Sequence, residues 1–256
     1  MTLFSLVYCW QFHAQLSWAS TIPFSSVVLW SNLAPVLLAF TAGLAIDTSA
    51  LRRCLRPFCA TSLILLAIGF LLVPLARPWL LAPRTAEQDQ MSGFICLQSH
   101  ESTCAPASAV TLLRLHGIDS SEKEMVNTCL TSELGTEALG LYRGLKIASQ
   151  MRNLNVRLAS RNPRNWVSSG QLPNIALVHF PEEEYGPIKK SQTSSIQSRS
   201  SHIQFFGDSR QEGHAVVVIC RENGGWLIAD PAFGLDHWSD ESLGLRFTGD
   251  AIYLCD

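Results

Sequence analysis

Residues 213–230 read GHAVVVICRENGGWLIAD. A glycine and a histidine open a run of small and β-branched apolar residues, Ala215 to Ile219. A second apolar run, Trp226 to Ala229, ends on Asp230. Between them stands Asn223-Gly224-Gly225, whose residue types tolerate positive φ and close a tight hairpin. Two antiparallel strands joined by that turn bring their outer ends together, so His214 and Asp230 fall at one open end. A carboxylate there can accept one N–H of an imidazole and fix its tautomer and orientation, leaving the second ring nitrogen for a reacting group.

The reacting group that suits such a histidine is a thiol, and Cys104 is the candidate. The spacing of Ala107, Val110, Leu112, Leu113 and Leu115 predicts a helix over 104–116, stopped by Gly117. Cys104 stands where a loop becomes that helix, and Pro106 suits a first turn because its missing N–H costs nothing there. A thiol at a helix amino terminus meets the positive end of the helix dipole, which favours thiolate. A thiolate attacking a carbonyl builds negative charge on oxygen, so an oxyanion donor is needed. Gln98, six positions before Cys104, can bring its side-chain amide to the same oxygen as the Cys104 backbone N–H.

Further helices are expected at 121–130, with Ser121 and Glu124 as a capping box, and at 136–151. Short strands are expected at 155–160, 175–180, 214–220, 226–230 and 251–255. Helices first and strands afterwards give an α+β domain rather than alternating βαβ units. Residues 85–92 read as a linker. Residues 181–213, with three glutamates, a Lys189-Lys190 pair and many serines, read as a long exposed loop.

The first 84 residues differ in kind. They hold no Lys or Glu, one acid at Asp47, and the arginines Arg52, Arg53, Arg56, Arg77 and Arg84. The uncharged stretches 23–46 and 58–76 are each long enough to cross roughly 30 Å of hydrocarbon. The chain thus divides into a membrane-anchoring helical hairpin at 1–84 and a globular domain at 85–256. A chain starting near Thr85 is expected to be soluble by itself. Residues 3–18 are apolar but carry Gln11, His13 and Gln15, which makes them interfacial or a third, weaker span. Positive residues favour the cytoplasmic side, so the Arg52–Arg56 turn is expected inside and the domain on the non-cytoplasmic side. Met1 to Trp18 has no positive residue, unlike a cleaved signal peptide. A formal net charge of −2 gives no nucleic-acid footprint. Five of the eight cysteines lie in the domain, an odd number that leaves at least one unpaired thiol.

Three stretches taken together, Gln98 to Ala107, Gly213 to Val218 and Ile228 to Gly234, resemble the peptidase C39 family. These are papain-like cysteine peptidase domains that remove double-glycine leaders from bacteriocin precursors. Gly135-Thr136, Gly140-Leu141 and Phe247 to Ala251 look similar as well, and the likeness runs from about Met91 to Asp256. It implies a papain-like α+β fold, a peptide or protein substrate, and no metal or cofactor. It also implies Cys104 as nucleophile, His214 as base, Asp230 as its orienting group and Gln98 as oxyanion donor. Ala105 departs from the glycine many members carry after the cysteine, which puts the approach to the oxyanion hole in question. Many relatives are fused to an ABC transporter. The sequence has no Gly-x-x-x-x-Gly-Lys-Ser/Thr motif, so a transporter would be a separate partner.

Three other readings stand beside this one. Cys96, His100 and Cys104 would align as zinc ligands if they shared one helix. A domain of this family that has lost cleavage would be a peptide-binding module. The same triad would also serve an amidase or acyltransferase acting on a non-peptide amide.

Overall fold

The computed structural model describes residues 15–47, 55–180 and 212–256. The amino-terminal part has two short helices, α1 (Trp18–Thr21) and α2 (Val27–Trp30), then α3 (Ala34–Asp47) and the long α4 (Leu55–Leu80). The strands β1 (Gln90–Ser92) and β2 (Ile95–Leu97) follow, then α5 (Cys104–Leu115), α6 (Glu122–Thr128) and α7 (Ala138–Ser149). The remainder is β3 (Asn155–Leu158), α8 (Arg164–Ser168), β4 (Asn174–Phe180), β5 (Glu212–Glu222), β6 (Gly225–Asp230), β7 (Gly234–Ser239), α9 (Asp240–Arg246) and β8 (Phe247–Cys255). The expected loop falls largely on 181–211, outside the described residues, and its last two positions belong to β5.

Six strands form one antiparallel sheet in the order β3-β8-β4-β5-β6-β7. Consecutive strands that pair antiparallel need only short connections, and here the β5–β6 turn is Asn223-Gly224, both at positive φ (49° and 78°). That is the conformation a two-residue turn requires if it is to match the twist of its strands. The pleat divides β5 by parity. Ala215 and Val217 face the core shared with α5 and α7, while Val216 and Val218 face a second core with Trp166 of α8 and Leu243 of α9. Trp226 and Trp238 are buried in this second core, and Trp166 meets Trp226 edge-on at 5.7 Å. The domain is therefore α+β, with α5, α6 and α7 on one face of the sheet and α8 and α9 on the other.

Several elements differ from the sequence reading. The expected linker carries β1, which pairs with β2 through Met91 and Cys96. Segments α8, β7 and α9 are too short or too polar for periodicity to expose them. His237 lies in β7 opposite Leu227.

Two stretches, Val27–Ile46 and Leu55–Leu80, are long and apolar enough to cross a membrane. The 26 residues of α4 make a helix about 39 Å long at 1.5 Å per residue. Phe58, Leu65, Leu72 and Val73 on α4 are 70%, 63%, 52% and 57% exposed, an arrangement that suits a lipid solvent better than water. Pro74 lies inside this helix and has no N–H for the Phe70 carbonyl four residues back. The Asn32 side-chain amide donates to that carbonyl at 2.8 Å, so the proline's orphan is satisfied from the neighbouring segment.

The segment before the hairpin does not stand apart from the domain. Leu16, Ala19, Val27 and Val28 are buried in the same core as Leu112, Leu141 and Leu145. Arg77 donates to Ser132 Oγ at 3.0 Å and pairs with Glu137 at 3.3 Å, and the Glu133 N–H donates to the Leu81 carbonyl at 2.7 Å. The globular core is thus not built from residues 85–256 alone. Residues 3–14 and the Arg52–Arg53 part of the basic turn lie outside the described residues.

Candidate active site

Cys104 begins α5, directly after a 3₁₀ turn at Glu101–Thr103. His100 caps that turn. Its Nδ1 accepts the Ser102 N–H at 3.2 Å, and its own N–H donates to Thr103 Oγ1 at 3.1 Å. The cysteine is thereby delivered, part-exposed, to the amino end of a 12-residue helix whose unpaired N–H groups point its way. Cys96 is in β2 and His100 caps a turn, so these two and Cys104 do not share the helix that a zinc alignment would need.

The helix is fixed against the sheet at the right place. Ser108, one turn after Cys104, donates to the Ala215 carbonyl at 2.8 Å in a fully buried contact. Ala215 follows His214 in the chain, so a single hydrogen bond ties the cysteine's helix to the histidine's strand. Ala105, the departure from the family pattern, is 5% exposed and packs into the core.

His214 Nε2 lies 3.0 Å from Asp230 Oδ1, at the open end of the β5–β6 hairpin where the sequence expectation put both residues. The same Oδ1 accepts the Ala232 N–H at 2.8 Å, and the carboxylate is only 2% exposed. Two donors on one buried oxygen hold it without rotational freedom. The Cys104 thiol is the other hydrogen-bond partner of the ring. Burial by itself would discharge the imidazole; the Asp230 hydrogen bond, the Cys104 hydrogen bond and the charges of both outweigh it and push its pKa up to about 10. A ring that keeps its proton beside a sulfur is placed to hand that proton to a leaving group.

Gln98 follows β2, and its N–H donates to the Pro231 carbonyl at 2.8 Å, next to Asp230. Its Oε1 is buried and has no hydrogen-bond partner. The four expected residues thus come from three distant stretches: His214 is hydrogen-bonded to Asp230 and Cys104, and Gln98 is tied to Pro231. Three supporting residues escaped the sequence reading. Ser108 was legible as a polar residue at a core position of the helix. The backbone roles of Pro231 and Ala232 carry no side-chain signal.

The other titratable groups have structural explanations. Cys96 and Cys129 are each pushed up to about 12 by burial, which keeps them protonated. His116 Nδ1 lies 3.0 Å from the Leu112 carbonyl at the end of α5, and His237 Nε2 lies 3.2 Å from the Glu222 carbonyl. Among the described residues no three His, Cys, Asp or Glu side chains gather as metal ligands.

No family model matches the chain, and no curated protein does. Solved structures similar to it include the peptidase domain of Streptococcus ComA, a bi-functional ABC transporter involved in quorum sensing. That similarity is 20% identity over 62% of this chain and 95% of that one, at a TM-score of 0.43. A double glycine motif protease from an AMS/PCAT transporter, in complex with the leader peptide, is 17% identical over 66% of this chain and 95% of that one, at a TM-score of 0.45. The peptidase domain of Streptococcus mutans ComA is 18% identical over 64% of this chain and 100% of that one, at 0.39. Similarities of this size leave the function to be read from the chain's own residues.

Proposed function

We propose that this chain is a cysteine peptidase held at a membrane by its amino-terminal hairpin. Cys104 attacks the peptide carbonyl, and His214 carries the proton between sulfur and leaving amine. Asp230 orients the ring, and Gln98 with the Cys104 N–H receives the developing oxyanion. The observation that carries this reading is one imidazole hydrogen-bonded to a buried carboxylate at 3.0 Å and to a thiol at a helix start. In the forward step sulfur bonds to the carbonyl carbon and the C–N bond breaks. The amine leaves with the proton from His214, and water then hydrolyses the thioester.

Following the motif resemblance, the substrate is a peptide cut after a double-glycine leader. Export of the product would then fall to an ABC transporter acting with this chain. The long exposed apolar face of α4 supports the anchor.

The test is alkylation of Cys104 by iodoacetamide in the wild type and in His214→Ala, with cleavage of a peptide library alongside. An activated nucleophile gives fast alkylation that falls on the order of 10²-fold or more in His214→Ala, and cleavage that Cys104→Ala abolishes. Slow alkylation indifferent to His214 would leave a peptide-binding module instead. Fast alkylation with hydrolysis of small amides, but never of peptides, would leave an amidase or acyltransferase.

A further inference from the structure

Glu122 is the first residue of α6 and only 1% exposed, yet nothing in the proposed chemistry uses it. A buried carboxylate is costly unless it is hydrogen-bonded. Its Oε1 accepts the Ser99 N–H at 2.9 Å, while its Oε2 is buried with no hydrogen-bond partner. The helix start does not need it, because Ser121 already caps α6 by accepting the Glu124 N–H at 3.2 Å. The surroundings hold it firmly: the Glu122 N–H donates to Asp89 Oδ1 at 3.0 Å, and Arg114 stands 3.9 Å from the other Asp89 oxygen.

What Glu122 grips is the peptide unit just after Gln98. The Gln98 N–H is held by Pro231 and the Ser99 N–H by Glu122, so the two planar peptides flanking the Gln98 Cα are each pinned by one hydrogen bond. With both planes pinned, φ and ψ of Gln98 are set, and so is the direction of its Cα–Cβ bond. The side chain receives no such help through Oε1, which has no partner. Ser99 is steadied again by its Oγ, which accepts the Ala86 N–H at 3.2 Å.

We infer that Glu122 is a positioning residue that aims the Gln98 amide at the oxyanion by holding the Ser99 N–H, an inference that rests on the peptidase reading above. Two reactions at one sulfur separate this role from a structural one. Alkylation by iodoacetamide forms an S–C bond and expels iodide with no oxyanion. Acylation by p-nitrophenyl acetate passes through a tetrahedral intermediate, forms a thioester and expels p-nitrophenolate. Both are followed by mass spectrometry at Cys104, with Cys104→Ala as the blank.

Glu122→Met keeps the shape but has no oxygen acceptor, and Glu122→Gln keeps the acceptor. The expected result is acylation slowed on the order of 10- to 10²-fold in Glu122→Met, with alkylation unchanged. Glu122→Gln should retain most of the rate, and Gln98→Ala/Glu122→Met should be no slower than Gln98→Ala alone. Equal losses in both reactions, no loss in either, or additive losses in the double variant would overturn the inference while the peptidase reading stood. So would a Glu122→Met chain that fails to fold by circular dichroism, since Glu122 would then be structural. A wild type whose Cys104 is alkylated no faster than free cysteine would overturn both.

Discussion

Replacing Asp230 by Asn tests the electrostatic core of the site with little change in shape. The Asn oxygen can still accept the Ala232 N–H, now made at 2.8 Å, so the turn after β6 survives. What disappears is the negative charge 3.0 Å from His214 Nε2, in a place only 2% exposed. Raising the ring from 6.5 to about 10 corresponds to about 5 kcal/mol of preference for imidazolium, at 1.36 kcal/mol per tenfold change. This preference is the balance left after burial has opposed it, with Asp230 and then Cys104 outweighing burial. An opposite charge within hydrogen-bond reach shifts a pKa by about 1–3 units. Asp230 is the largest of the causes that hold the proton, so its neutralisation should weaken proton retention by roughly 10- to 10²-fold. The protonated ring is the acid that the leaving amine needs. The alkaline limb of kcat/KM should therefore move about one to two pH units lower in Asp230→Asn, with the largest loss of rate above pH 7. The assay is the pH profile of peptide cleavage for both proteins. An alkaline limb unmoved by the substitution would show that Asp230 does not set the charge of His214, and the reasoning would fail.

Further outcomes follow from the same structure. His214 has a folded-state pKa above its ordinary 6.5, so its contribution to stability is complete below that pH and fades as pH rises from about 6.5 towards 10; thermal melts across this window should show the decline, and His214→Ala should flatten it. A chain starting at Thr85 loses Leu16, Val27 and Val28 from the core, at roughly 1.5–3 kcal/mol each, a sum comparable with the whole stability of a domain. It should aggregate or melt without cooperativity, whereas a chain starting at residue 15 should melt sharply in detergent. Asn32→Leu leaves the Phe70 carbonyl unsatisfied at Pro74 and should lower the detergent melting temperature by an amount equivalent to about 0.6–2 kcal/mol; an unchanged melt would mean that another donor replaces it. Full-length protein should sediment with membranes and resist extraction by carbonate at high pH, and recovery in the soluble fraction would remove the anchor.

The elements that carry the site were legible one by one because their signals are local. Val and Ile at Val216 to Ile219, the Asn223-Gly224 turn and the Ala107 to Leu115 spacing each state a backbone preference within a few residues. The hairpin then implied that His214 and Asp230 lie near each other at its open end, since the start of the first strand meets the end of the second there. The short strands and helices β1, β7, α8 and α9 were hidden because their form depends on what they pack against, as with Trp166 in the second core.

By itself, then, the chain's order of residues determined the α+β class, the apolar hairpin and which four polar groups to watch, since these follow from propensity, period and turn chemistry. Only the tertiary structure decided that Cys104 meets the ring paired with Asp230, through Ser108 on Ala215, and that Glu122 grips Ser99 from 23 residues away in the chain. It also placed Leu16 and Val27 in the domain's core instead of among the anchor's residues. Contacts between distant segments are chosen by how whole faces fit and which buried groups find partners, and no short window of sequence contains that information.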